Sequence, residues 1–235
     1  MIFAAGLATR LGDLSRNTPK ALIDVGGTTM LERTIRCLVD AGADRIVINV
    51  HHHANRIGVF VEKLEVPAAL LLSHEPGAPL ETGGGLLHAR RLFRGDAPFF
   101  LHNVDIITGA DLPAAYAAHQ QSEALVTLLV NERDTARRLL FDAEGLLGRI
   151  DARAGTRTEV RRSHGDVHAI AFAGIHVASP ALLERISERG VFSITDVYLR
   201  LAGEGARILP FRIDPARWHE IGTPERLAAA REALA

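Results

Sequence analysis

An α/β fold with a mostly parallel central sheet flanked by helices is what three features of this 235-residue chain predict. Apolar runs recur without alternation, as strands buried on both faces require. Helical patterns fall between them from the start of the chain. After Ala124 the rhythm changes to closely spaced strands, which predicts a more antiparallel C-terminal half. The chain reads as a single Rossmann-like domain over residues 1–235, with halves at 1–123 and 124–235. Its 47% hydrophobic and 23% charged residues exclude disorder, because that much apolar surface offsets the entropy of folding.

The elements follow in order. Residues 2–5 form a short strand cut off by Gly6, and residues 21–25 a second extended piece. Residues 28–41 are a helix, with Met30, Leu31, Ile35, Leu38 and Val39 on one stripe and Gly42 at its C-terminal cap. A buried strand at 45–50, a helix at 54–64 and a strand at 68–73 come next. A helix opened by glycines spans 80–92, and a buried strand 98–101. Asp111 caps a helix over 111–121. Strands are expected at 124–130, 138–141, 146–150 and 168–177, with the polar, basic stretch 155–165 as a loop. Helices at 180–188 and 194–202, a strand at 207–211 and a closing helix from Pro224 complete the chain.

Lys and Arg number 27 against 28 Asp and Glu, a net charge of −1. That balance argues against a nucleic-acid surface, which needs a basic excess. It leaves room for a small anionic ligand, which needs only a few placed cations. The single cysteine, Cys37, permits no intrachain disulfide and no cysteine-based zinc site. No apolar run reaches the roughly 20 residues of a membrane span, and residues 1–6 are too short for a signal peptide. A cytoplasmic protein without membrane or nucleic-acid partners is expected.

Three constellations carry chemistry. The first runs Ala4-Ala5-Gly6-Leu7-Ala8-Thr9-Arg10-Leu11, then Ser15-Arg16-Asn17-Thr18-Pro19-Lys20. A strand ending in small residues lets backbone N–H groups approach an anion. Arg10 offers a planar fork for phosphate, and Lys20 a point charge. No Gly-Lys-Ser/Thr follows, so this is not a Walker loop. A methyl group at Ala8 fits only a negative φ. The second is Leu80-Glu81-Thr82-Gly83-Gly84-Gly85. Three glycines opening a helix imply close approach, either to a ligand or to a packed neighbour. The third pairs Asp105, after the strand containing Phe99-Phe100-Leu101-His102-Asn103, with Glu220 in Trp218-His219-Glu220-Ile221-Gly222-Thr223-Pro224-Glu225. Such carboxylates suit Mg²⁺, which is held by one or two of them plus substrate phosphates.

In this order the motifs resemble those of the sugar-1-phosphate nucleotidylyltransferases, whose signature is Gly-x-Gly-Thr-Arg-Leu followed by Pro-Lys. The Leu-Glu-Thr-Gly-Gly-Gly run looks most like the branch of N-acetylmuramate 1-phosphate uridylyltransferases. The resemblance implies a nucleotide-diphospho-sugar transferase fold. It also implies transfer of a nucleoside monophosphate from a nucleoside triphosphate to a sugar 1-phosphate, for cell-wall sugar-nucleotide synthesis. Ala5, Gly6, Leu7, Ala8 and Thr9 would then hold the nucleotide's phosphates, and Glu81, Thr82 and Gly83 its base. Arg10, Lys20 and Asp105 would be catalytic, and Asp105 and Glu220 would bind Mg²⁺. Asn103 and Gly174 would meet the sugar, although Gly174 is equally a packing glycine. Ala8 replaces the second Gly of the signature, and Glu220 replaces an Asp. The first strand is short for the family, which leaves an upstream start open. The family's Glu-Lys-Pro is missing, since Glu159-Val160-Arg161 does not match it. Guanylyl transfer to a hexose or heptose 1-phosphate, and a sugar-nucleotide-binding module without turnover, are the alternatives. Cytidylyl transfer to a quaternary ammonium substrate ranks lower, since aromatics are only 5%.

Other features read more plainly. His51-His52-His53 is a turn at a strand end rather than a metal cluster. Cys37 belongs to the core, Asp196 to a helix cap, and Trp218 to packing.

Overall fold

The buried strand β1 (Ile2–Phe3) lies between two parallel neighbours, β4 (Arg45–Val50) and β6 (Phe99–Asn103), and β5 (Ala69–His74) extends this parallel set beyond β4. The structure, a computed structural model, describes residues 1–12 and 18–234. Ser15, Arg16 and Asn17 of the first motif therefore lie outside the described residues.

The early connections are built locally. β2 (Asp24–Val25) and β3 (Thr28–Thr29) form a hairpin across Gly26 and Gly27, both at positive φ as a tight two-residue turn demands. Thr29 then caps α1 (Met30–Asp40), its hydroxyl accepting from the Glu32 N–H at 3.3 Å. The C-terminus closes through Gly42 at φ 92°, with the Ala43 N–H donating to Leu38 O at 2.9 Å. The expected helix from residue 28 thus begins two residues later, because Thr28 and Thr29 are spent on the hairpin. The extended piece expected at 21–25 is partly a 3₁₀ turn, Lys20–Leu22.

α2 (Ala54–Glu62) follows β4, and α3 (Glu81–Ala89) follows β5. After β6 comes a short strand, β7 (Ile106–Thr108), and then α4 (Leu112–Gln121), capped by Asp111, whose carboxylate accepts from Ala114 N at 2.8 Å.

The second half is mostly antiparallel, as its rhythm predicts. β8 (Val126–Asn131), β9 (Arg137–Asp142), β10 (Gly145–Asp151) and β11 (Thr156–Glu159) precede the long β12 (His168–Ala178). β12 joins the halves, pairing antiparallel with β6, β8 and β9. The stretch 155–165 is not wholly loop. Thr156–Glu159 pairs with β10, and Arg161 grips the buried carboxylate of Asp142 with both terminal nitrogens, at 2.8 and 2.6 Å. That fork holds Asp142 well below the usual carboxylate range.

The helix expected at 180–188 is only α5 (Ala181–Arg185). Ile186 turns extended to bury itself in the core, and Glu188 leaves to pair with Arg200 at 2.7 Å. α6 (Ile194–Gly203), β13 (Ile208–Arg212), β14 (Trp218–Glu220) and α7 (Pro224–Ala233) close the chain. β13 pairs parallel with β8. Ser193, not Asp196, caps α6, and Asp196 pairs with Arg149 at 2.5 Å. One apolar cluster packs α3 and α6 on one side of the sheet, and another packs α1, α2 and α4. Among the described residues no helix is long and apolar enough to cross a membrane.

Candidate functional site

A cleft of about 260 Å³ opens at the carboxyl ends of β1, β4 and β6. Parallel sheets place ligands there, because strand ends diverge into loops at that edge. Ala5 and Gly6 from the loop after β1 line it, with Lys20, Asn103 and Asp105. Glu81 and Thr82, at the start of α3, line it as well.

The loop is held from beneath by two residues the sequence reading missed. The Ala4 N–H donates to Asn49 Oδ1 at 2.7 Å, and Asn49 Nδ2 donates to Glu75 Oε1 at 2.5 Å. Glu75 Oε2 in turn accepts from Leu80 N at 2.8 Å, tying the entrance of α3 to the same network. Both side chains line the cleft and are buried, at 2% and 7% exposed, so each depends on its partners. A polar Asn inside the apolar run Arg45–Val50 is the signal that could have found this network.

Lys20 follows Pro19 and heads the 3₁₀ turn, which sends its side chain into the cleft. Its Nζ pairs with Asp105 Oδ2, and both side chains are less than a fifth exposed. Asp105 sits in the turn between β6 and β7. Its partner acid arrives by strand register. β14 runs antiparallel to β7 with Glu220 opposite Ile106, and the Ile221 N–H donates to Asp105 O at 3.1 Å. Two acidic residues 115 positions apart in sequence thereby stand on adjoining backbone segments.

Glu220 is also held by cations. Arg226 pairs with Oε2, and Arg10 Nη2 lies 3.7 Å from Oε1. Arg10 itself is 66% exposed and stands beside the cleft rather than in its wall. Among the described residues no three His, Cys, Asp or Glu side chains are grouped to hold a metal ion. A carboxylate in the β6–β7 turn and one on β14, which pairs with β7, suit a hard cation whose remaining ligands come from phosphate and water, not an all-protein cage.

Several expected positions fall elsewhere. Leu7, Ala8 and Thr9 lie outside the cleft wall, and Leu7 is 48% exposed. Ala8 adopts φ 53°, contrary to the expectation of a negative φ. Gly83 does not face the cleft. Its N–H donates to Phe192 O at 3.0 Å, and a Cβ there would overlap the Phe192 ring. A Cβ at Gly84 would stand 2.5 Å from Gly190 O, and one at Gly85 2.5 Å from Glu75 Oε1. The three glycines therefore serve close packing of α3. Thr82 Oγ1 accepts from Ile194 N at 3.0 Å, which ties α3 to α6. Gly174, at φ 80° in the irregular part of β12, leaves room for Asn103 Nδ2, 3.0 Å from where its Cβ would be.

Arg133, also missed, lies 4.0 Å above the Trp218 ring. Burial lowers its pKa, Glu220 opposes the shift and Arg226 adds to it. His51–His53 is a turn, with His53 at φ 58° before α2. Cys37 is half-buried rather than fully in the core, and burial next to Asp40 pushes its thiol up to about 11.

Comparison with known proteins gives a consistent picture. The family model of the MobA-like NTP transferase domain matches residues 1–170. The N-acetylmuramate alpha-1-phosphate uridylyltransferase of Caulobacter vibrioides is 30% identical across all of this chain and 96% of its own length. The mannose-1-phosphate guanylyltransferase catalytic subunit beta of Drosophila pseudoobscura pseudoobscura is 26% identical over 96% of the chain, which spans 59% of that longer protein. Among solved structures, the inositol-1-phosphate CTP transferase of T. maritima superposes with a TM-score of 0.77 at 17% identity, covering 100% of this chain and 96% of that one.

Proposed function

Since the chain belongs to the MobA-like NTP transferase domain family, we propose that it transfers a nucleoside monophosphate from a nucleoside triphosphate to a sugar 1-phosphate, releasing pyrophosphate. Uridylyl transfer to N-acetylmuramate 1-phosphate is the specific reaction, supported by the full-length relative that carries that name. The Lys20–Asp105 pair carries this reading. It lies in the cleft with the glycine loop, Glu81 and Thr82, and strand register brings Glu220 to the adjoining segment. Residues 1–123 form the nucleotide side and residues 124–235 the sugar side. The reading fits a cytoplasmic enzyme whose partners are its two substrates.

In the reaction an oxygen of the sugar phosphate attacks the α-phosphorus in line. The new P–O bond forms as the bond to the β-phosphate oxygen breaks, and pyrophosphate leaves with that electron pair. The protein's work is positioning and charge neutralisation. Backbone groups at Ala5 and Gly6 approach the phosphates. Arg10, which is exposed, swings from Glu220 onto the β- and γ-phosphates. Lys20 leaves Asp105 to sit between the α-phosphate and the incoming phosphate. Glu81 and Thr82 border the base. Asp105 and Glu220 would hold Mg²⁺, which supplies further neutralisation of the phosphate charge.

The test is a thermal-shift panel of the four triphosphates with Mg²⁺, followed by pyrophosphate release against several sugar 1-phosphates. UTP should stabilise most, and release should require a sugar 1-phosphate. Preference for GTP would replace the uridylyl assignment. Binding without release would replace catalysis by a binding role.

A further inference from the structure

Arg133 belongs to none of the roles assigned above, yet it is the most firmly built cation near Glu220. It follows β8 and reaches Phe172, two residues before Gly174, which packs against Asn103 of the cleft wall. Its Nη1 donates to Asn131 Oδ1 at 2.5 Å and its Nη2 to Phe172 O at 2.6 Å. Its guanidinium lies over Trp218, and the Trp218 Nε1–H donates to Ala173 O at 2.9 Å. The ring that supports Arg133 is itself fixed. Trp218 and Glu220 are two residues apart on β14 and so share a face. Among the described residues, Arg10 and Arg226 pair with Glu220, Arg133 stacks on Trp218 of the same strand, and Asp105 is taken by Lys20. Two guanidinium groups thus share the Glu220 carboxylate, and the third stacks on a ring two residues from it. Two of the five N–H donors of Arg133 are engaged, and the remaining three suit an anionic oxygen group.

We propose that Arg133, with Arg226, forms a subsite for an anionic oxygen group of the acceptor sugar 1-phosphate, either its phosphate or a carboxylate on the sugar. This rests on the transferase reading above. It adds a residue from the C-terminal half that fixes the acceptor rather than the triphosphate. The stack on Trp218 holds the fork rigid, so little rotamer freedom is lost when the anion arrives.

The test is equilibrium binding, by calorimetry without turnover, of N-acetylmuramate 1-phosphate and of N-acetylglucosamine 1-phosphate, which lacks the lactyl carboxylate. Wild type and Arg133→Met are compared, with UTP binding as the control. Loss of a charge-assisted contact should weaken binding about 10- to 100-fold. Weakening of the acidic sugar alone assigns the carboxylate, and equal weakening of both assigns the phosphate. UTP affinity should stay within about twofold. Arg133→Lys, which keeps the charge but not the fork, should fall between the two, and it replaces Arg133→Met if that variant does not fold. The proposal is overturned if the variant binds both sugars as wild type does, if UTP binding weakens alongside, or if wild type binds neither sugar. Pyrophosphate release by wild type is scored separately. Its absence alongside a clear Arg133 effect on binding would remove the transferase reading and leave the subsite.

Discussion

Ala8 occupies the left-handed region at φ 53°, where a side chain costs roughly 1–2 kcal/mol relative to ordinary backbone. Glycine removes that cost but loses about 0.5–1 kcal/mol in chain entropy. Ala8→Gly is therefore expected to stabilise the fold by about 0.5 kcal/mol. A rise in the urea midpoint at unchanged slope would check this, and a fall would show that the strain is absent. The methyl group at this position tells of a loop that keeps its shape against a local penalty. Its anchors are visible at the same scale: Asn49 holds Ala4, and Glu75 holds both Asn49 and Leu80. Lys20 and Asp105 satisfy each other.

The helix α3 shows how an element can defy its own propensity. Three glycines weaken a helix by about 1 kcal/mol each relative to alanine. The close approach of Phe192, Gly190 and Glu75 reverses that preference. Gly84→Ala should destabilise the protein by about 1–3 kcal/mol, because its Cβ meets the rigid carbonyl of Gly190. Urea unfolding checks the sign, and a gain in stability would mean that propensity wins over packing. The glycine run was legible as a signal of close approach, but the sequence has no means of saying that the approaching group is protein. The alternation of β4, β5 and β6 with helices was legible because each strand is a run of five or six residues set between helical patterns. β7 and β14 were not, since three residues carry no periodicity. Yet their pairing brings Glu220 to Asp105. Arg133 escaped notice for a related reason: a lone arginine after a strand has no pattern, and only the fold stacks it on Trp218.

Across the whole molecule, the junction of the two halves contains two buried histidines facing β1. Burial pushes His102 down to about 4, and burial with the charge of His102 pushes His176 down to about 3. His176 also shares a 2.7 Å hydrogen bond with the buried Tyr198 hydroxyl. Both rings are neutral in the folded state and take up protons near pH 6.5 when unfolded. Their contribution is therefore fully present above pH 6.5 and is lost as pH falls from 6.5 towards 4 and 3. Each contributes a slope of about 1.4 kcal/mol per pH unit in that window, or about 2 kcal/mol by pH 5. Urea unfolding at pH 7 and pH 5 should show this loss, and His102→Gln should flatten it by about half. Equal stability at both pH values would mean that the histidines are solvated. The same junction sets Gly174 of β12 against Asn103 of the cleft wall. The most direct measurement of transfer is mass-spectrometric detection of UDP-N-acetylmuramate, with pyrophosphate counted in parallel, from UTP, Mg²⁺ and N-acetylmuramate 1-phosphate. The expected result is one sugar nucleotide per pyrophosphate with wild type, and a rate lower by about 10²–10³ with Lys20→Ala. Wild type that forms no sugar nucleotide, or Lys20→Ala that forms it at the wild-type rate, would contradict this assignment.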